Sequence, residues 1–143
     1  MASTSGLTVD LKKFDLILGA GFRVDAYDAG GCVLAWQGDI STVAQGADDN
    51  NVLVMVNSTY AIITINNMMS ANVIAYINAW VDSRIPRPLA LKDRNGLTDL
   101  AEARSFPRQK PGMTWTNSHT PTSIDIHCPN LSGPVGGLVD VFG

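Results

Sequence analysis

Charge is what this 143-residue sequence has least of. Only 16% of its residues are charged, against about 25% in ordinary globular domains. Glutamate is nearly missing, with Glu102 its sole example. With one glutamate, a pair of catalytic carboxylates would have to be aspartates. The adjacent Asp48 and Asp49 sit in a polar stretch without the apolar walls that raise a carboxyl pKa. Long apolar runs are absent too: none exceeds five residues, as in Val52–Val56, far below the roughly 18 needed for a membrane-spanning helix, so no membrane segment is expected. Met1–Gly6 carries no basic residue and does not read as a signal peptide. The chain is therefore expected to be made and kept in a cytoplasm, with Cys32 and Cys128 as free, packed thiols rather than a disulfide.

The usual catalytic signatures are missing as well. Gly19-Ala20-Gly21 starts like a dinucleotide fingerprint, but Val24 stands where the third glycine belongs and a strand rather than a helix follows. His119, His127 and Cys128 have no zinc-ligand spacing, and Asp48–Asn51 lacks the spacing and closing glutamate of an EF-hand. No nucleophile elbow, Walker loop or His-Glu-x-x-His occurs. The expectation is a structural protein with no catalytic, cofactor or metal site.

What is present is apolar mass, 45% of the residues at a net charge of −3. That composition excludes disorder for most of the chain and suits one domain over 1–143, with a short flexible arm at 1–10 and a Gly-rich tail at 130–143. The apolar end of that tail, Leu138 to Phe142, is expected to dock on its own sheet or a neighbour's. Between Val24 and Ser83 there is no Lys or Arg, whereas Arg84–Lys110 holds seven cations. Such asymmetry points to an acidic surface meeting a basic one on another copy of the chain. The candidate contact residues are Asp39, Asp48, Asp49 and Asn50 on one side and Arg84, Arg87, Lys92 and Arg94 on the other, with the Arg104–Lys110 segment as the alternative basic partner. Exposed pairs of this kind predict salt-sensitive association.

Period-two alternation dominates. Phe14–Leu18 and Phe22–Tyr27 predict a hairpin, Asp28–Gly31 a turn and Cys32–Trp36 a strand. Gln37–Asn51 reads as a long polar loop. Val52–Val56 and Tyr60–Ile65, apolar on both faces, predict strands that are covered twice or meet another chain. Ser70 is the expected N-cap of one amphipathic helix, whose stripe is Val73, Ile74, Ile77, Trp80 and Val81 and which stops before Pro86. Leu89–Lys92 predicts a strand and Asp93–Gly96 a turn. Thr98–Phe106 pairs back or, over Leu97–Arg104, forms a weak helix. Ile124, Ile126 and Cys128 predict a closing strand.

In order and spacing these pieces resemble the tail tube proteins of contractile-tailed bacteriophages, across roughly residues 12–138. The carriers are residues 43–83 (paired strands, then the Ser-led helix), PLALKDRNG at 88–96, LAEARSF at 100–106, Lys110-Pro111, and TSIDIHC at 122–128. The resemblance implies a mainly β (α+β) fold, a β-sandwich or split barrel with one packed helix and a long inter-subunit loop over residues 37–57. It implies a structural virion protein of the tail, assembled in the host cytoplasm, whose hexameric rings stack helically into the inner tube that conducts the genome and ejected proteins. Implied partners are further copies of the chain, the sheath protein, the baseplate hub, the tail terminator, the tape measure protein and passing DNA. A bore that does not hold phosphate would present neutral or acidic side chains, with Asp15, Ser58 and Thr64 as candidates. Secretion-system and tailocin tubes share the fold, so a phage-like injection machine is an alternative setting. A β-sandwich module for carbohydrate or protein is the alternative of another class, and it would need an exposed aromatic platform among Trp36, Trp80 and Trp115.

Overall fold

The computed structural model describes residues 14–47, 50–55, 59–94, 96, 98–117 and 121–135, with backbone alone for Asp28 and Ala29. Among these residues, nine strands and one helix follow in order: β1 (Phe14–Leu18), β2 (Phe22–Arg23), β3 (Tyr27–Trp36), β4 (Ser41–Gln45), β5 (Asn51–Met55), β6 (Ala61–Asn67), α1 (Ala71–Ser83), β7 (Arg87–Asp93), β8 (Thr98–Pro107) and β9 (Thr122–Cys128). The fold is mainly β with a single helix, and every paired strand is antiparallel. The N-terminal arm, Asp48, Asp49, Ser58 and the tail beyond residue 135, on which expectations were placed, lie outside the described residues.

Seven strands form one sheet in the order β2-β1-β7-β8-β9-β6-β3. Laid flat, its two edges would stand about 29 Å apart, six spacings of about 4.8 Å. Yet β2 at one edge reaches β3 at the other through Val24–Ala26 alone, a connection that spans at most about 14 Å. The sheet must therefore curl, and it does: Phe14 of β1 meets Tyr27 of β3 edge to face at 5.9 Å. Inside the curl lie Leu16, Leu18, Ile63, Ile65, Leu89, Leu91, Leu100, Ile124 and Ile126, all buried. The alternation read from β9 is thus an inside–outside alternation, and β6, which reads as apolar on both faces, turns Ala61, Ile63 and Ile65 inward.

The helix supplies the rest of the core. Its buried residues are Val73, Ile74, Ile77, Trp80 and Val81, the stripe that the 3.6-residue period predicts. Tyr76 stacks on Phe22 at 4.2 Å, and Trp80 meets Phe106 edge to face, so α1 bridges from β2 to the far half of β8. Its start departs from expectation. Ser70 holds the N-cap position, but its hydroxyl makes no capping bond. The buried Asn67 organises the entry instead, accepting from the Ser70 amide (2.9 Å) and donating to the Asp25 carbonyl (2.7 Å). At the other end Arg84, at φ 59°, closes the helix with its amide on the Val81 carbonyl.

Two more elements differ from the sequence reading. Asp28–Gly31 is no turn; β3 runs through it, with its register against β6 shifting between Tyr27 and Cys32. Gly31 takes φ +61° there, a left-handed conformation that glycine adopts without strain. The described part of the Leu97–Arg104 stretch, Thr98–Arg104, is strand rather than helix, because its partners on β7 decide the matter: Leu91 faces Leu100 and Ala90 faces Ala101.

Glu102 explains how β8 changes neighbours. Phe106 and Pro107 pair with β9, and Ala101 pairs with Ser132 in that same register. In the gap between these contacts the Glu102 carboxylate, 4% exposed, accepts from the Arg104 amide (3.0 Å) and the Asn130 amide (2.6 Å). It stands in for backbone carbonyls. Across from it, β8 carries an extra residue between its pairs with Leu89 and Arg87, a bulge placed opposite Pro88, which has no amide to lose. Glu102→Gln should therefore cost about 1–3 kcal/mol in denaturant unfolding, since an amide NH2 would face a backbone N–H.

Candidate inter-subunit surface

The polar stretch Gln37–Asn51 contains a strand. β4 and β5 form a separate two-stranded ribbon, with Val43 opposite Leu53 and Thr42 opposite Val54. The Gln37 amide donates to the Tyr60 carbonyl, so the ribbon extends the β3–β6 ladder away from the curled sheet. Every residue of both strands is exposed. One face carries Val43, Leu53 and Met55, between 61% and 67% exposed, and the other carries Val52 and Val54. An isolated two-stranded hairpin is barely stable in water, and a contiguous exposed apolar patch marks an interaction surface. Of the described residues in the two segments expected to be covered twice or to meet another chain, Val52–Met55 stands bare. In β6, Ala61, Ile63 and Ile65 are buried and Ile62 is partly covered.

The charges meet differently from expectation. Asp39, at the root of the arm, is exposed and forms no ion pair among the described residues. Asn50 closes the arm's turn, its carbonyl accepting from the Gly46 amide at 2.7 Å. The Arg84–Arg94 run is not one free basic patch. Arg87 lies over the rings of Tyr76 (5.1 Å) and Trp80 (5.9 Å), and Arg94 reaches Asp15 at 3.4 Å. Arg84 and Lys92 are exposed. Asp82 finds its cation within the chain, Lys110 at 2.9 Å.

Asp15 and Thr64 do not share a wall. Asp15 is on the outer face of β1, ion-paired with Arg23 at 2.6 Å, whereas Thr64 is on the outer face of β6, four strands away through the curl. Around Thr64 the outer face of β6 and β9 is neutral or acidic. The Thr64 hydroxyl donates to Asp125 (2.7 Å), Ser123 bonds Asn66, and Arg108 is held 3.5 Å from Asp125.

Sequence reasoning missed the other outer face. Across β1, β7, β8 and the segment after β9, the register lines up Ile17, Ala90, Ala101 and Ser132. Ala90, Ala101 and Ser132, with the larger Ile17 at one end, floor an open groove of about 590 Å³. On one side a charged row runs parallel to it, Asp15, Lys92 and Asp99, and Arg104 stands on the opposite rim. Alanines are depleted in strands, and finding Ala90, Ala101 and Ala103 at alternate outward positions was the available signal.

Both cysteines are free and face inward. Burial pushes each thiol up to about 12. They should resist alkylation in the folded protein at pH 8, and a thiol titration with and without denaturant checks this. Because the unfolded thiols ionise near 9 and the folded ones near 12, their contribution to stability should be constant below about pH 9 and decline above it.

No family model matches the chain, and no curated protein sequence does. Among solved structures, the cryo-EM structure of the anti-feeding prophage cap, a tube-terminating cap, superposes with a TM-score of 0.56 at 12% identity, over 87% of this chain and 89% of that one. The two share a fold. At 12% identity the likeness reaches the fold and no individual contact.

Proposed function

We propose that this chain is a structural subunit of a phage-like tube, assembling with copies of itself into stacked rings. The observation that carries the reading is the β4–β5 arm, apolar on both faces and exposed along both strands. A free monomer gains nothing from such an element, whereas a closed ring or stack buries it. The likeness to a tube-terminating cap supports the same setting, and it favours an injection machine as readily as a virion tail. Six subunits per ring, a surrounding sheath and a passing genome belong to this proposal. So does a non-catalytic role, supported by the lack of any catalytic motif. Of the two faces raised for the bore, the one around Thr64 suits it better, being neutral or acidic with Arg108 tied to Asp125.

Negative-stain microscopy of the purified chain tests the proposal. Rings or rods support it, and a uniform small particle at high concentration refutes it. A binding module would need a clustered aromatic platform, but Trp80 is fully buried, leaving Trp36 and Trp115 as the exposed tryptophans.

A further inference from the structure

Resting on that reading of the arm, we infer that the arm's docking site is the small-residue groove across β1, β7 and β8 of a second copy, with the Val43–Leu53–Met55 face seated on Ala90 and Ala101. The first argument is shape. The floor row from Ile17 to Ser132 crosses three strand spacings, about 14 Å, and a five-residue strand is about 17 Å long. Large side chains project from the arm, and a floor of alanines offers hollows for them, as interdigitating cores require.

The second argument is charge. The arm's root holds Asp39 and the groove's rim holds Arg104, and neither forms an ion pair within the described residues. A docked arm brings an unpartnered anion and an unpartnered cation to one interface, which fixes orientation more than it adds affinity. The third argument is topology. The arm does not cover its own groove, since all its residues are exposed, although the Leu131 amide bonds the Thr59 carbonyl and so ties the groove's margin to the arm's root. One surface meeting a different surface on the next copy is a heterologous contact, which propagates into rings or filaments instead of stopping at a dimer.

The test uses the full chain. Ala101→Asp puts a carboxylate on the groove floor at an exposed position, so melting should stay unchanged while the assembled fraction at fixed concentration falls roughly tenfold or more. A mixture of Leu53→Cys and Ala101→Cys chains should cross-link between the two variants under mild oxidation, the buried native thiols staying out. If Leu53→Cys chains link to one another and the mixture adds nothing, arms pair with arms and the inference is overturned. If Ala101→Asp assembles like the unmodified chain while Leu53→Asp does not, the arm is an assembly element but this groove is not its site. If neither substitution matters, or the unmodified chain stays monomeric, the reading of the arm fails and takes this inference with it.

Discussion

Replacing Leu53 by aspartate should convert an assembling chain into a soluble monomer with an unchanged melting temperature. Leu53 is 63% exposed in the single chain, and exposed substitutions away from special features move stability by about 0.5 kcal/mol or less. In an assembly the same position is desolvated, and burying a carboxylate there without a partner costs about 3 kcal/mol at each contact, roughly a hundredfold in the association constant. Sedimentation across a concentration series reads both halves of the result. Survival of rods with aspartate at 53 would remove the arm from the assembly contact. Salt discriminates the driving force. Contacts between exposed charges weaken as the screening length falls from about 10 Å at 0.1 M to about 3 Å at 1 M, whereas apolar docking persists. The bare valines, leucine and methionine of the arm predict persistence, in contrast to the salt-sensitive stacking suggested by charge distribution.

The second large effect belongs to Trp80. Its side chain is fully buried, its indole N–H donates to the Ile85 carbonyl at 3.0 Å, and its ring packs edge to face with Tyr76 and Phe106 under the Arg87 guanidinium. Trp80→Ala should therefore destabilise the fold by about 3–5 kcal/mol, lowering the melting temperature by about 10 °C or more. Helix, β8 and the start of β7 all lean on this ring. Trp80→Phe keeps part of the ring packing but loses the indole donor, leaving the Ile85 carbonyl without it, and should cost less than half as much. Equal losses from the two variants would assign the role to the hydrogen bond rather than the volume.

The helix was legible because its stripe is an intrinsic pattern: five apolar residues at 3.6-residue spacing need no knowledge of the partner. β9 was legible for the same reason, with inward Ile124 and Ile126 alternating with Ser123 and Asp125; β6, apolar on both faces in sequence, was legible as a strand but not in which face turns inward. β4 was not. Ser41-Thr-Val-Ala-Gln has no buried face within this chain, so no alternation identifies it as a strand. The curl of the sheet was hidden as well, because it depends on which strands become edges and on a three-residue link between them. Charge along the chain does not show where geometry takes it: Arg87 lies over aromatic rings and Arg94 reaches Asp15. The groove went unread because alanine is a weak signal singly and a meaningful one only when neighbouring strands are set in register.

The curled sheet also sets an order of events on the way to the native state. Leu16 must find Leu91, and Ile63 must find Ile126, pairings between distant parts of the chain that make such topologies fold in milliseconds to seconds. The β4–β5 arm is a local hairpin, of a kind that forms in about 1–10 μs. On the proposed function, each new chain would therefore display its assembly element well before it has a body to position it. Concentrated refolding should favour tangled aggregates over ordered rods, and dilution followed by concentration should reverse that balance. The polar ends of the arm's strands, Gln45 and Asn51, which face each other, are expected to act as gatekeepers during that interval. They keep a premature ribbon from growing at its tip while the slower closure of the sheet catches up.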